Sequence, residues 1–216
     1  MKKDYCDITM LLDKSGSMYG VVSDTIGGVN SFIDKQRLVK GECKLSIYQF
    51  DDIYETTYEV SDIQSCGKLT TENYQTRGST ALLDAIGKTI INLGKRLDNL
   101  TEDKKPEQVV VVIQTDGEEN ASKEFTREKI FDMISHQRDK YNWQFIFMGA
   151  NQDAISTAKS YGISASSALT YANNSAGNFF AYSGVACNIA SYRAGTTSDT
   201  SFTDTDRTLQ EQQLNN

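Results

Sequence analysis

The chain has little of what several common protein classes depend on. Its 216 residues include one proline, one histidine and one tryptophan, and the four cysteines form no C-x-x-C pair. A structural zinc site is therefore not expected, and we expect free thiols. No apolar run approaches the roughly 20 residues that cross a bilayer, and no apolar stretch follows the first lysines as in a signal peptide. These features favour a cytoplasmic protein, with export by a route that leaves no mark in the sequence as the alternative.

Positive charge is also scarce. The chain has 22 lysine and arginine residues against 29 aspartate and glutamate residues, so its net charge at pH 7 is −7. Nucleic acids and anionic membranes are bound through basic surfaces, because their phosphates attract lysine and arginine. We therefore expect neither nucleic acid nor a membrane among the partners of this protein.

The sequence does contain a regular alternation of strand-like and helix-like segments. Short runs rich in apolar and β-branched residues predict strands at 6–12, 43–50, 56–60, 109–113, 143–148 and 168–171. Apolar residues at helical spacing predict helices at 19–39, 81–97, 125–140, 153–161 and 178–194. This order predicts a mostly parallel sheet with helices on both faces, in which 56–60 forms an antiparallel hairpin with the strand before it.

Three short polar segments lie where predicted strands end. The first, Asp-Lys-Ser-Gly-Ser, runs from Asp13 through Ser15 to Ser17; the second carries Thr80; and the third, Thr-Asp-Gly, carries Asp116. In an open α/β sheet, ligands bind at the carboxyl ends of the strands, where the topology switches. Two carboxylates and three hydroxyls at that edge predict an all-oxygen site for a hard divalent cation. Taken singly, each segment also fits an ordinary helix cap or turn.

The three motifs, in this order, resemble the metal-ion-dependent adhesion site of the von Willebrand factor A family. The flanking residues agree, since Met18 follows the first motif and Ala-Leu-Leu-Asp-Ala follows Thr80. The resemblance implies an α/β fold that is Rossmann-like and doubly wound, with a mostly parallel central sheet, one antiparallel edge strand and helices on both faces. It implies a single domain over 1–195. The polar residues 196–216 are then a tail that is either flexible or docked.

The resemblance also implies how the site works. In the family, the hydroxyls that match Ser15, Ser17 and Thr80 are direct ligands of the metal, and the carboxylates that match Asp13 and Asp116 act from the second shell or through water. The cation expected here is Mg²⁺, with Mn²⁺ or Ca²⁺ as alternatives. Neutral hydroxyl ligands leave the cation short of negative charge, so it seeks a carboxylate from outside.

The resemblance therefore implies a binding module and not an enzyme. Its partner would be another protein that presents an aspartate or glutamate to the metal, and the chain would act as an intracellular scaffold or adaptor, similar to small bacterial and phage members of the family. Self-association is a second hypothesis, in which Asp204 or Asp206 of the tail reaches the metal of a neighbouring copy. Met18, Tyr19, the loop 76–79 and the residues 118–120 are expected to contribute specificity, although the acids at 118 and 119 also fit a solvated helix entry.

Other functional classes remain as alternatives. Phosphatases of the haloacid dehalogenase type also place an aspartate at the end of the first strand and bind Mg²⁺, but they need a second carboxylate two residues later, where this chain has Ser15. A surface or virion structural adhesion component would use the same metal site but would need export or assembly. The single histidine, His136, falls on a polar predicted helix and is expected to be an ordinary surface residue.

Overall fold

The computed structural model of the chain describes residues 1–150 and 153–215. Its centre is a six-stranded sheet in the order β3-β2-β1-β4-β5-β6. The strands are β1 (Lys2–Asp13), β2 (Glu42–Phe50), β3 (Tyr54–Asp62), β4 (Pro106–Thr115), β5 (Gln144–Ala150) and β6 (Ala168–Tyr171). Neighbouring strands are parallel except for β3, which pairs antiparallel with β2 at one edge. The predicted fold class is confirmed, including its antiparallel edge strand.

The central strands are apolar throughout because helices cover both faces of the sheet. Along β4, Val110 and Val112 pack into the core on one face of the sheet, whereas Val109, Val111 and Ile113 pack into the core on the other. Side chains alternate between the faces of a strand, so a strand with two covered faces has no solvent-facing positions left for polar residues. This is why the central strands read as unbroken apolar runs.

The helices divide between the two faces. Helices α1 (Val22–Arg37) and α5 (Ser175–Arg193) contribute to one core, and α2 (Leu82–Asp98), α3 (Arg127–Tyr141) and α4 (Ala154–Ser160) to the other. The predicted helix 19–39 begins later than expected, because a 3₁₀ helix, Gly16–Val21, precedes α1. None of these helices, within the residues that are described, combines the length and the apolar composition needed to cross a bilayer.

The tail contains a sixth helix. Residues 196–203 lead into α6 (Asp204–Leu214), which begins with a capping box between Thr203 and Asp206. Within this segment, Thr200 and Phe202 are buried, and the amide of Phe202 donates to the carbonyl of Ser166. The tail is therefore docked over the described residues, while Asn216 lies outside them.

The cysteines are free thiols, as expected. Cys6, Cys43 and Cys66 are buried, whereas Cys187 is exposed on α5. Because Cys6 and Cys43 fall on predicted strands and Cys187 on the last predicted helix, the sequence predicts that all three are small buried residues; for Cys187 this prediction is wrong. The helix packs on α1 through the face that carries Tyr182, Val185 and Ile189, and Cys187 does not lie on that face.

A buried ion pair ties β1 to α2. Asp7 is 1% exposed, and its two carboxylate oxygens accept hydrogen bonds from the two terminal guanidinium nitrogens of Arg96 at 2.8 and 2.9 Å. This bidentate geometry is the strong form of a carboxylate–arginine contact. It allows one charged residue to occupy an otherwise apolar layer between the sheet and α2.

We predict that Arg96→Ala lowers the free energy of unfolding by about 3 kcal/mol, because it leaves the Asp7 carboxylate buried without a counter-charge. Chemical denaturation monitored by circular dichroism measures this loss. Lys95→Ala is the matched control, since it removes an exposed charge from the same helical turn and should cost less than about 0.5 kcal/mol. Equal losses in the two variants would show that the ion pair contributes nothing.

Candidate metal centre

The candidate site lies at the point where the order of the strands in the sheet reverses, between β1 and β4. Strand β1 ends at Asp13 and its neighbour β4 ends at Thr115, and the chain leaves β1 towards β2 on one side while β4 lies on the other. Leu12 and Gln114 are paired in register, so the two strands finish side by side. This is the switch point of a doubly wound sheet, where ligands bind in such folds.

Asp13 is buried at the base of the site. Its Oδ1 accepts the amide hydrogen of Ser15 at 2.7 Å, and its Oδ2 accepts the hydroxyl hydrogen of Thr115 at 2.6 Å. The hydroxyl of Tyr74 donates to the backbone carbonyl of Asp13 at 2.5 Å. Asp13 is 0% exposed, so its carboxylate lies beneath the rim of the sheet and not on its surface.

The hydroxyls of Ser15, Ser17 and Thr80 lie close to one another and to Asp116. The Oγ atoms of Ser15 and Ser17 are 3.1 Å apart, and the Ser17 hydroxyl donates to Oδ1 of Asp116 at 2.5 Å. A Cβ atom added to Gly117 would lie 3.1 Å from Oγ1 of Thr80 and 3.5 Å from Oγ of Ser17. The glycine of Thr-Asp-Gly therefore lets the third segment approach both hydroxyls, and all five predicted site residues come together at one point.

Thr80 is held in place by the loop that follows β4. Its amide donates to Oδ1 of Asn120 at 2.9 Å, and its carbonyl accepts the amides of Asn120 and Ala121 at 3.1 and 3.2 Å. Both backbone groups of Thr80 are thus bound to a segment 40 residues away in sequence. Apart from its position shortly after Thr-Asp-Gly, nothing in the sequence predicts that Asn120 binds the backbone of Thr80.

Glu119 is also turned inward. Its carboxylate accepts the amide of Leu83 at 2.9 Å in the first turn of α2, and it also accepts the amide and the hydroxyl of Ser122, each at 2.7 Å. A carboxylate in this position is favoured by the helix dipole and by unpaired amides of the first turn. Glu119 and Asn120 therefore bind the backbone amides of Leu83 and Thr80. Glu119 is partly buried, which does not fit a solvated helix entry, whereas Glu118 and Asn120 are exposed, and their expected part in specificity stays a prediction.

Asp84 completes this support. It is 7% exposed, and its carboxylate accepts the consecutive amides of Lys123, Glu124 and Phe125 at 2.8, 2.9 and 2.9 Å. The aspartate in the Ala-Leu-Leu-Asp-Ala segment thus fastens the loop 117–125 to α2. It acts as a clamp on the loop and takes no part in the candidate ligand set.

The charge at the site is uncompensated. Burial raises the pKa of Asp13 to about 6, although hydrogen bonds from Thr115 and the Ser15 amide act in the opposite direction. Burial also raises the pKa of Asp116, again against hydrogen bonds from Ser17 and Asn173. In the part of the chain that the structure describes, neither carboxylate forms an ion pair. A divalent cation would supply the missing positive charge, so the residues fit the metal that the motif implies.

Two basic side chains, Lys14 and Arg77, are bound to other acids. Lys14 lies within the first motif, yet its ammonium is bonded to Glu55 and lies 3.9 Å from Asp51. Arg77 donates to the same two acids at 2.7 Å each. This group of two basic and two acidic residues is neutral as a whole and does not offset the charge of Asp13 and Asp116.

The donor set consists mainly of hydroxyls. Among the residues that the structure describes, no cluster of three or more histidine, cysteine, aspartate or glutamate side chains is placed to hold a metal ion. His136 is exposed on α3, in an edge-on contact with Tyr141. Any metal bound at the candidate centre would therefore be a hard cation that accepts serine and threonine oxygens.

Comparisons with known proteins agree on the fold. No sequence-family profile and no curated protein sequence matches this chain. Among solved structures, proximal thread matrix protein 1 of the mussel byssus matches with a TM-score of 0.59 at 16% identity, over 88% of this chain and 46% of that protein. The von Willebrand factor A domain of SpRpn10 matches with a TM-score of 0.61 at 12% identity, over 82% of this chain and 93% of that chain.

A third match carries a metal. The manganese-loaded TRAP protein of Plasmodium vivax matches with a TM-score of 0.51 at 18% identity, over 69% of this chain and 58% of that protein. A further structure of the mussel protein has zinc in its metal-ion-dependent adhesion site. This chain spans about half the length of the mussel protein, and identities this low are evidence for the fold alone. The strand order and these matches together show that the chain has the von Willebrand factor A fold.

Proposed function

We propose that this chain is a metal-dependent protein-binding module. Ser15, Ser17 and Thr80 would hold a divalent cation, and an aspartate or glutamate of a partner protein would complete its coordination. The observation that carries the proposal is the convergence of three hydroxyls on two carboxylates that lack a basic counter-charge. Mg²⁺ is the expected cation, with Mn²⁺ or Ca²⁺ as alternatives, because all three accept oxygen ligands.

The hydrogen bonds support a division of roles among the five residues. Both oxygens of Asp13 already accept protein hydrogens, so Asp13 is suited to orient the turn and offset charge without touching the cation. Asp116 accepts the hydroxyl hydrogen of Ser17, which points the lone pairs of that hydroxyl away from the carboxylate. Ligands that are oriented in this way bind metal more tightly than free ones.

The surface around the site offers contacts for a protein partner. Tyr19, just after the first motif, is 80% exposed, and Ile53, in the turn between β2 and β3, is 51% exposed. Met18 was also expected to contribute specificity, but it is completely buried, so that expectation is wrong. An open depression of about 540 Å³ lies beside Thr80, lined by Ile53, Ser79 and Lys88 among others. Specificity would come from these groups, since one metal–carboxylate bond does not distinguish one acidic protein from another.

We further propose an intracellular scaffold or adaptor role, in line with the expected cytoplasmic location. For self-association through the tail, the structure leaves one of the two suggested acids, Asp206, already bound within its own chain. Asp206 is engaged in the capping box of α6 and accepts a hydrogen bond from Asn188 at 3.2 Å. Of the two acids considered, Asp204 is the exposed one, and it would be the acid that reaches the metal of a neighbouring copy.

The same geometry argues against the phosphatase alternative. A nucleophilic aspartate must present an oxygen to its substrate, whereas Asp13 is 0% exposed and both of its oxygens accept hydrogen bonds. The position of the general acid is taken by Ser15, whose amide is one of the donors. We therefore propose that the chain is not an enzyme.

We predict that the protein binds one Mg²⁺ or Mn²⁺ ion and that Thr80→Val weakens this binding by more than about 10-fold, because the variant keeps the shape of the side chain but loses one oxygen ligand. Isothermal titration calorimetry measures the affinity. At 100 times the dissociation constant, the metal should also stabilise the wild type by about 2.7 kcal/mol. Ser79→Ala, at the exposed neighbouring position, is the matched control and should bind as the wild type does. A wild type that gives neither heat nor a thermal shift would contradict the proposal.

We predict that partner capture depends on the metal. Immobilised wild-type protein in Mg²⁺ should retain a partner that is released by EDTA and is not retained by Thr80→Val, because the partner's carboxylate binds the cation directly. Mass spectrometry identifies the retained protein. Capture by the wild type in Mg²⁺, but neither by the wild type in EDTA nor by Thr80→Val in Mg²⁺, is the expected pattern; equal capture by both proteins in EDTA would count against a metal-mediated contact.

We predict no Mg²⁺-dependent turnover of generic phosphoesters such as p-nitrophenyl phosphate, because no exposed carboxylate oxygen of Asp13 is available to attack them. Release of nitrophenol is followed by absorbance. Turnover that requires Mg²⁺ and disappears in Asp13→Asn would establish an enzyme and overturn this prediction.

A further inference from the structure

The tail helix α6 is fastened to the rest of the domain by side chains that reach backbone carbonyls. The guanidinium of Arg207 donates to the carbonyls of Ala165 and Ala168 at 3.0 Å each, next to the edge strand β6. On the other side, Asn188 of α5 donates to Asp206. These contacts hold α6 at a defined position against β6 and α5.

One residue of α6 is almost completely buried and reaches the loop between β6 and α5. Gln210 is 1% exposed; its Oε1 accepts the amide of Ala172 at 3.3 Å, and its Nε2 donates to the carbonyl of Gly177 at 2.9 Å. A single side-chain amide therefore joins the start of the loop 172–174 to the first turn of α5. The two segments are close together, since a Cβ atom on Gly177 would lie 2.1 Å from the carbonyl oxygen of Ala172.

The loop that Gln210 joins contributes a residue to the metal centre. The side-chain amide of Asn173 donates to Oδ2 of Asp116 at 3.3 Å. The other oxygen of Asp116 accepts the hydroxyl hydrogen of Ser17 at 2.5 Å. Asp116 is thus held from two sides, by the turn after β1 and by the loop after β6.

We propose that Gln210 is a positioning residue of the metal centre, which acts through Asn173 to fix the orientation of Asp116. This inference rests on the proposed function, because it assigns to the tail a part in metal binding at the same site. Side chains that orient the groups around a metal commonly change its affinity 10- to 100-fold. Gln210 acts one step further out than Asn173, so a smaller effect follows.

The test is a double-mutant cycle on the full chain, with the dissociation constant for Mn²⁺ measured by isothermal titration calorimetry. Gln210→Met keeps the length and volume of the side chain but removes both hydrogen bonds, and it should weaken Mn²⁺ binding by about 3- to 10-fold. Gln213→Met makes the same change one turn further along α6 and should leave the affinity unchanged. In an Asn173→Ala background, Gln210→Met should cause no further loss, because the two residues act in series.

Other outcomes separate this inference from the proposed function. A Gln210→Met variant that melts at a lower temperature but binds Mn²⁺ as the wild type does would show that Gln210 serves packing alone. An equal loss in both backgrounds would show that it does not act through Asn173. If circular dichroism shows that Gln210→Met does not fold, the affinity of Asn173→Ala for Mn²⁺ becomes the test. An affinity equal to that of the wild type would also overturn the inference. A wild type without Mn²⁺ binding would instead contradict the proposed function itself.

Discussion

The carboxylate of Asp13 lies at the end of β1 with no solvent exposure, and its two oxygens accept one hydrogen from the turn that follows and one from Thr115 at the end of β4. A buried carboxylate without an ion pair is costly, and hydrogen bonds reduce that cost without removing it. The same two hydrogen bonds determine how the chain leaves β1. They orient the turn that carries Ser15 and Ser17, so the placement of the hydroxyls follows from the burial of one acid.

The remaining parts of the site are positioned by side chains that bind backbone amides of distant loops. Asn120 holds Thr80, Glu119 holds the first turn of α2, and Asp84 holds the amides of 123–125. Loops have few apolar contacts to hold them, and contacts of this kind replace packing as the source of order. Since β1, α2 and β4 all belong to the rigid sheet and its helices, the loops inherit their positions from the fold.

The sequence allowed the sheet and the five oxygen-bearing residues to be predicted, but not their supports. Buried strands leave a strong local pattern, and Asp13, Ser15, Ser17 and Asp116 lie at or just after the ends of β1 and β4. Thr80 lies instead in the long loop between β3 and α2, so its expected place at a strand end is wrong, and the resemblance to the family motif is what pointed to it. Tyr74, Asn120 and Asn173 act across 40 or more residues of sequence and have no periodicity that marks them. Helix α6 was not predicted as a helix because it buries chiefly Gln210, a polar residue, and therefore shows no apolar stripe.

The charges around the site explain why a bound metal would be required before an acidic partner could bind. Lys14 and Arg77 are neutralised by Asp51 and Glu55, and the chain as a whole carries a net charge of −7. Without a cation, an approaching carboxylate would meet the negative charge of Asp13 and Asp116 and be repelled. At physiological ionic strength, charges more than about 8 Å apart are largely screened, so the contact depends on the groups at the site itself. A dication bound as proposed would offset the charge of the two carboxylates and leave a coordination position open, so the attraction for an acid would exist only while the metal is bound.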